Sequence, residues 1–417
     1  MLETTLEQRG VSMMKIGKLI GNVELTKDLK ILLLTGGLYS LSVALSNTFV
    51  NVFLWKQSGE FRDLGLYNLA IILLQLLTFT LAGRWAKKID RVIVFRIGVA
   101  FLTIFYLTVL LIGDKASTFL LVLGAILGIG NGFYWLAYNV LTFEVTEPET
   151  RDFFNGFLGL LNSVAGMIGP MIAGYIISQL TKSTGYMIVF GMSLGLFLLA
   201  VVSSFFLKRR PAEGKYFFKR IVEERKHNNN WKLITNAHFF QGLREGVFAF
   251  MITVFVYIAT DSELALGKFG LINSGISFIA YYIVSRTIKN DNRNKSILIG
   301  GIMLFLSMFI IVFDFSYTKL LIYAGTIAIA YPLILVPYTS LTFDVIGKGW
   351  KAGEMRIEYI VVRELFLNLG RLLSVLVFII GVSIFNPNKV IPVLLFILGS
   401  GHSVIYFFAR KIKWKAA

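Results

Sequence analysis

Tyr138–Val145 reads YNVLTFEV, and Tyr338–Val345 reads YTSLTFDV. Five positions are identical, and a sixth exchanges one carboxylate for another. Each copy ends a long apolar run and precedes a polar, charged segment. Two such copies, two hundred residues apart, predict a duplicated chain. Further matches keep the same order. Arg84 pairs with Arg286, Lys87 with Lys289 and Gly98 with Gly300 at a shift of 202. Gly37-Leu38 pairs with Gly242-Leu243, and Leu161-Asn162 with Leu367-Asn368.

The runs themselves predict the solvent. The chain is 56% hydrophobic and 16% charged, with a mean hydropathy of +0.72. A soluble domain carries about a quarter charged residues. Twelve apolar stretches lie near 29–54, 65–85, 92–112, 117–141, 156–180, 187–207, 233–259, 267–285, 296–313, 319–343, 361–382 and 390–409. Each is long enough to cross a hydrocarbon layer of about 30 Å as a helix. The expected fold is an all-α integral membrane protein of twelve transmembrane helices, arranged as two six-helix pseudo-repeats. The halves are 29–207 and 233–409, joined by a basic linker at 208–232, with polar ends at 1–28 and 410–417.

Charge sets the orientation. With the N-terminus inside, 32 of the 41 Lys and Arg residues fall on inner segments. Only Lys56, Arg62, Lys115, Lys182, Lys268, Lys319 and Lys389 fall outside, and Arg244 and Arg371 lie within spans. Cytoplasmic segments are enriched in Lys and Arg, so both termini are expected in the cytoplasm. The net charge of +17 then reports topology and attraction to anionic membrane lipids, not a nucleic-acid partner. The linker holds nine basic residues and three acids, and it suits a tether carrying an amphipathic helix on the inner membrane surface.

Several chemistries find no support. Cysteine is absent, and His227, His238 and His402 lack metal-ligand spacing. No phosphate-binding loop or nucleophile–base pair is visible, so no cofactor, metal or enzymatic reaction is expected. A monomer in a bacterial cytoplasmic membrane is the expected setting.

The stretch Gly83–Arg91 resembles the loop 2–3 signature of the major facilitator superfamily of secondary transporters: Gly83, Ala86, Lys88 and Arg91 fit it. Lys87 stands where the signature has an acid, and Asp90 where it has a second glycine. In the fifth run, Ala165-x-x-x-Gly169-Pro170-x-x-Ala173-Gly174 is similar to a motif of the superfamily's proton-coupled exporters. Glu144-x-x-Glu147-Pro148-x-x-Arg151 resembles a pattern of its sugar-porter branch. The resemblance spans about 25–412 and implies that one half rocks against the other around a site near the membrane midplane.

Three groups of residues are candidates for function. The first is a cytoplasmic gate: Glu144 and Asp344 at matching helix ends, with Arg84, Lys88, Arg91 and Arg151 in one half and Arg286, Lys289 and Arg356 in the other. An ion-pair network formed in only one state biases a near-balanced equilibrium. The second is intramembrane charge. Arg244 and Glu245 lie in the seventh run, and Glu364, Asn368 and Arg371 share one face of the eleventh. A central charge facing lipid is costly, so these groups are expected to face inward and to pair with each other or with substrate. Desolvation favours a carboxylate's neutral form. Glu245 is therefore the first candidate proton carrier and Glu364 the second, with Arg244 and Arg371 as partners for acid or substrate.

The third group is a polar and aromatic lining. Asn131, Trp135, Tyr138 and Asn139 share a face of the fourth run. Tyr39 and Asn47 in the first run and Tyr338 in the tenth lie in helices that line the cavity of the resembling family. Aromatic faces with a few amides suit an amphipathic ligand. Glycines at 166, 169 and 174 are expected to permit close helix packing. The leading expectation is a proton-coupled exporter of an amphipathic organic solute. The alternatives are a flippase for a lipid or lipid-linked glycan, and a non-transporting accessory subunit of an envelope complex.

Overall fold

Local sequence starts and stops the helices. Thr26 caps α1 (Lys27–Ser58) by accepting the Leu29 amide at 3.3 Å. Gly59 ends α1 at φ 67°, a left-handed conformation that glycine adopts without steric cost. After α2 (Phe61–Lys88), Asp90 accepts the Val92 amide at 2.7 Å and starts α3 (Arg91–Ile112). A 3-10 turn at Gly113–Phe119 leads to α4 (Leu120–Val145), followed by α5 (Pro148–Gln179) and α6 (Lys182–Ser204). The linker contains a ten-residue helix, α7 (Phe218–His227). Beyond it lie α8 (Asn229–Thr260), α9 (Glu263–Thr287), α10 (Arg293–Leu306), α11 (Met308–Ile311), α12 (Tyr317–Gly347), α13 (Arg356–Ile384), α14 (Pro387–Gly399) and α15 (Gly401–Ala409). This computed structural model describes residues 26–145, 148–180, 182–209, 214–312 and 316–413.

Among the described residues, eleven segments are long and apolar enough to cross a membrane, where the sequence predicts twelve. The difference has a simple origin. One segment, Arg91–Thr142, is 52 residues long and contains both α3 and α4, joined by the helical turn. The bundle's outer surface is apolar, with Leu111 78%, Ile384 67% and Phe205 62% exposed. A continuous surface of that kind would associate in water and suits hydrocarbon instead. α12 passes through Pro332 and Pro337 without interruption.

Within the N-terminal half, α4 packs on α2 and α3, and α1 packs on α5 and α6. In the C-terminal half, α8 packs on α13, and α12 on α9 and α10. Two large contacts join the halves: α5 with α9, and α2 with α13. Under the sequence repeat these are counterparts of each other, as a twofold pseudo-repeat requires. Small residues make the α5–α9 contact possible. A Cβ on Gly267 would lie 2.6 Å from the Pro170 carbonyl oxygen, and one on Gly270 would press the Pro170 ring at 2.9 Å. On the other side of α5, a Cβ on Gly169 would meet Ala44 of α1 at 2.8 Å.

The helix α7 docks on protein. Ile221 is fully buried and its carbonyl accepts the Trp231 indole N–H at 3.0 Å, while Arg225 stacks over Phe366 at 4.0 Å. Part of the basic face is thus committed to the C-terminal half.

Candidate functional site

The centre of the site is the crossing of α8 and α13. Gly242 and Gly370 let the backbones touch: a Cβ on Gly242 would overlap the Leu367 carbonyl oxygen, and one on Gly370 that of Phe239. This approach brings Glu245 and Arg371 together. Arg371 donates to one Glu245 oxygen from Nη2 at 2.5 Å and from Nε at 3.1 Å. Gln241 donates to the other oxygen at 2.8 Å. Arg371 also donates to Asn368 at 3.2 Å, whose amide donates to the Glu364 carbonyl at 3.0 Å. The Glu364 carboxylate itself takes Arg363 at 2.5 Å.

A histidine that the sequence reading passed over completes the network. His238 Nδ1 lies 2.9 Å from Gln241 Oε1, and Nε2 lies 3.3 Å from Thr342 Oγ1 of α12. The Gln241 amide nitrogen is committed to Glu245, so Nδ1 of His238 is assigned as the donor from the network. Glu245 and Arg371 keep 21% and 25% of their side-chain surface exposed, so the pair is partly open.

Arg244 departs from expectation. Its side chain is fully buried inside the C-terminal half, on another face of α8 from Glu245. It donates to the Tyr323 hydroxyl at 3.1 Å, to the Gly399 carbonyl at 3.2 Å and to the Tyr331 hydroxyl at 3.4 Å. It also stacks over Phe248 at 4.4 Å. Among the described residues it makes no ion pair, and nothing opens it to solute. Dipoles and an aromatic face, rather than a carboxylate, support this charge.

The aromatic lining divides in two. Tyr39 is stacked on Tyr134 at 4.1 Å and accepts the Trp135 indole N–H at 3.1 Å. The Tyr138 hydroxyl reaches the Leu32 carbonyl at 3.4 Å, and the Tyr338 ring packs 4.8 Å from that of His238. These three tyrosines are buried packing. Asn131, Trp135 and Asn139 keep partial exposure on one face of α4, and Asn47 of α1 is exposed. At the repeat position of the Glu245–Arg371 crossing, Ser40 of α1 donates to Asn162 of α5. The N-terminal half thus holds a neutral contact where the C-terminal half holds charge.

The two expected gate acids form pairs within each half. Arg91 meets Glu144 at 2.6 Å, and Arg293 meets Asp344 at 2.6 Å. These are the same pair, repeated at shifts of 202 and 200. Arg84, Lys88, Lys289 and Arg356 are exposed, and among the described residues none is in an ion pair. Arg286 stacks over Tyr282 at 4.1 Å, and the Arg151 side chain lies outside the described residues.

Two ion pairs that the sequence reading did not propose cross between the halves. At the linker end, Lys87 of α2 meets Glu358 of α13 at 2.5 Å, with 9% and 0% of the side chains exposed. The Phe217 amide donates to the same Glu358 oxygen at 3.0 Å, and Lys87 also donates to the Lys215 carbonyl at 3.2 Å. Burial and the nearby Glu358 push the Tyr216 hydroxyl pKa upward. At the far end, Lys56 of α1 meets Glu263 of α9 at 2.5 Å, and the Tyr186 hydroxyl donates to that oxygen at 3.1 Å. The inverted charge in the loop signature was the available clue to the first pair. A lysine in the acid's place calls for an acid opposite, and the first turn of α13 carries one. Asp90, also a departure from the signature, caps α3 and takes Arg209 at 3.2 Å.

Comparison with known proteins is decisive for the family. The family model described as Major Facilitator Superfamily matches residues 32–373. The chain belongs to the major facilitator superfamily. The resemblance read from the loop signature is borne out. The uncharacterized protein YqgE of Bacillus subtilis is 59% identical over 403 residues, which is 97% of this chain and 94% of YqgE. An uncharacterized protein from the sodM 3' region of Geobacillus stearothermophilus is 58% identical over 200 residues, 48% of this chain and 94% of that protein. Among solved structures, the human organic anion transporter MFSD10 (TETRAN) superposes with a TM-score of 0.68 at 14% identity. The match covers 92% of this chain and 98% of that one, and it shows the superfamily fold. The protein is therefore a multi-pass membrane protein of a transporter family whose members bind small-molecule substrates.

Proposed function

We propose that this chain is a proton-coupled secondary transporter that exports an amphipathic organic solute by alternating access. In this reading it crosses the cytoplasmic membrane twelve times as a monomer, with both termini and the linker inside. The Glu245–Arg371 pair carries the proposal. It joins opposite charges inside the membrane, partly open, on α8 and α13. A charge at that depth is costly unless function retains it. Deprotonated Glu245 offers a carboxylate to a donor on the solute, and protonation withdraws it. Proton and solute then compete for one group, which is the linkage that antiport needs. Asn47, Asn131, Trp135 and Asn139 supply amides and an aromatic face for an amphipathic body.

The cross-half pairs supply the moving parts. Lys56–Glu263 holds the far end and Lys87–Glu358 the linker end, so the described conformation suits an occluded intermediate. Opening either end requires breaking one pair. The exporter direction draws on the Gly169-Pro170 motif, which lies in the helix that contacts both α1 and α9. The lipid-carrying reading loses one of the two cations it relied on, because Arg244 is sealed.

The test is reconstitution in proteoliposomes with an imposed proton gradient and a solute panel. Glu245→Gln should abolish gradient-driven transport while solute exchange persists. Full gradient-driven transport by that variant would remove the assignment.

A further inference from the structure

A cavity of about 570 Å³ lies where the two halves and the linker meet. Lys87 and Arg91 line it from the N-terminal half, Lys215 from the linker and Arg356 from the start of α13. Two of these cations are already matched, Lys87 by Glu358 and Arg91 by Glu144. Glu354, the remaining acid on the wall, pairs with Lys351 at 3.7 Å. Lys215 and Arg356 are both exposed, and among the described residues neither is in an ion pair. Among the described residues, the wall therefore keeps two uncompensated cations on two different parts of the molecule. Phe217 and Ile360 add apolar surface to the same wall. The volume falls in the range of small-molecule sites.

We infer that this cavity binds a small organic phosphate, with the phosphate between Lys215 and Arg356 and a modest apolar body against Phe217 and Ile360. A doubly charged phosphate matches two cations, where a monocarboxylate matches one. The arginine fork and the lysine point charge are the two side chains that bind phosphate best. Such a ligand ties the linker to α13 beside the Lys87–Glu358 pair. It weights the closed state of this end and so acts as a brake set from the cytoplasm, separate from the Glu245–Arg371 pair. The same phosphate chemistry is carried by a phospholipid headgroup.

The full chain in zwitterionic nanodiscs tests this with inorganic phosphate and phenyl phosphate, each against chloride at equal ionic strength. The chain has no cysteine, so Gly353→Cys on the cavity wall gives one reporter thiol. Both phosphates should protect it from a maleimide saturably, phenyl phosphate at lower concentration. Lys215→Gln with Arg356→Gln should weaken protection about tenfold or more, and Arg356→Lys should retain most of it. Glu245→Gln should bind phenyl phosphate as the parent does, so a failure here is distinguishable from a failure of the proton-coupling assignment. Protection by phosphatidylglycerol nanodiscs without added phosphate, lost in the double variant, would support the site with a headgroup as occupant. No saturable protection by phosphate, phenyl phosphate or phosphatidylglycerol overturns the inference, as does undiminished binding in the double variant.

Discussion

Replacing Lys87 by glutamine should unlatch the linker end. Its partner Glu358 has no exposed side-chain surface. One Glu358 oxygen holds Lys87 and the Phe217 amide, while the other, Oε2, has no hydrogen-bond partner among the described residues. The negative charge therefore depends on Lys87. Removing one member of a buried pair costs about 3–5 kcal/mol. Lys87 keeps 9% exposure, so water relieves part of the loss and the lower figure applies. A change of about 3 kcal/mol moves a two-state equilibrium about 150-fold. A cysteine placed at Ile360, which lies on the cavity wall and is 2% exposed, should then react with a membrane-impermeant maleimide, applied from the linker side, up to about 150-fold faster than in the parent. The increase stops where the open state becomes the major one. Glu358→Gln should have a smaller effect, because Lys87 still donates to the Lys215 carbonyl at 3.2 Å and can reach water. Exchanging the two residues, Lys87→Glu with Glu358→Lys, should restore much of the protection. A parental labelling rate in Lys87→Gln would refute the reasoning, since the end would then be held by something other than this pair.

The remaining expectations concern the other latch and the packing. Glu263→Gln should raise labelling of a far-end cysteine, because it removes the acid that Lys56 and Tyr186 both hold; equal labelling from that side would count against an outer latch. Gly370→Ala should lower thermal stability in detergent by about 1–3 kcal/mol or more, since its Cβ would overlap the Phe239 carbonyl oxygen. Gly191→Ala, with nothing within 4 Å of its Cβ, is the control and should melt as the parent does. Arg244→Met should lower the melting temperature, because it leaves the Tyr323 hydroxyl and Gly399 carbonyl contacts unmade, yet leave solute preference unchanged; altered preference would return Arg244 to the binding site.

Much of the fold was legible because its causes are local. The apolar spans depend on residues near one another in sequence, and their helices appear where the runs predict them. The repeat was legible too, and it placed Glu144 and Asp344 at matching helix ends; packing decided that they meet Arg91 and Arg293. The sequence could not say that these pairs stay within halves. That depends on which faces α2, α3, α12 and α13 turn toward the interface. Counting runs by composition gave twelve, whereas a turn of 3-10 helix makes α3 and α4 one segment of 52 residues.

By itself, the sequence determined that the chain is a duplicated bundle of apolar helices, and it named Glu245, Asn368 and Arg371 as chemistry carried within them. The tertiary structure alone decided which charges meet. Arg244 and Glu245 are neighbours in the chain, but consecutive residues of an α-helix point about 100° apart. One therefore enters a sealed cage of tyrosines and carbonyls, and the other meets Arg371 across a crossing set by two glycines. The same rotation turns Lys87, an anomaly within the loop signature, onto Glu358, which lies 271 residues away in the chain.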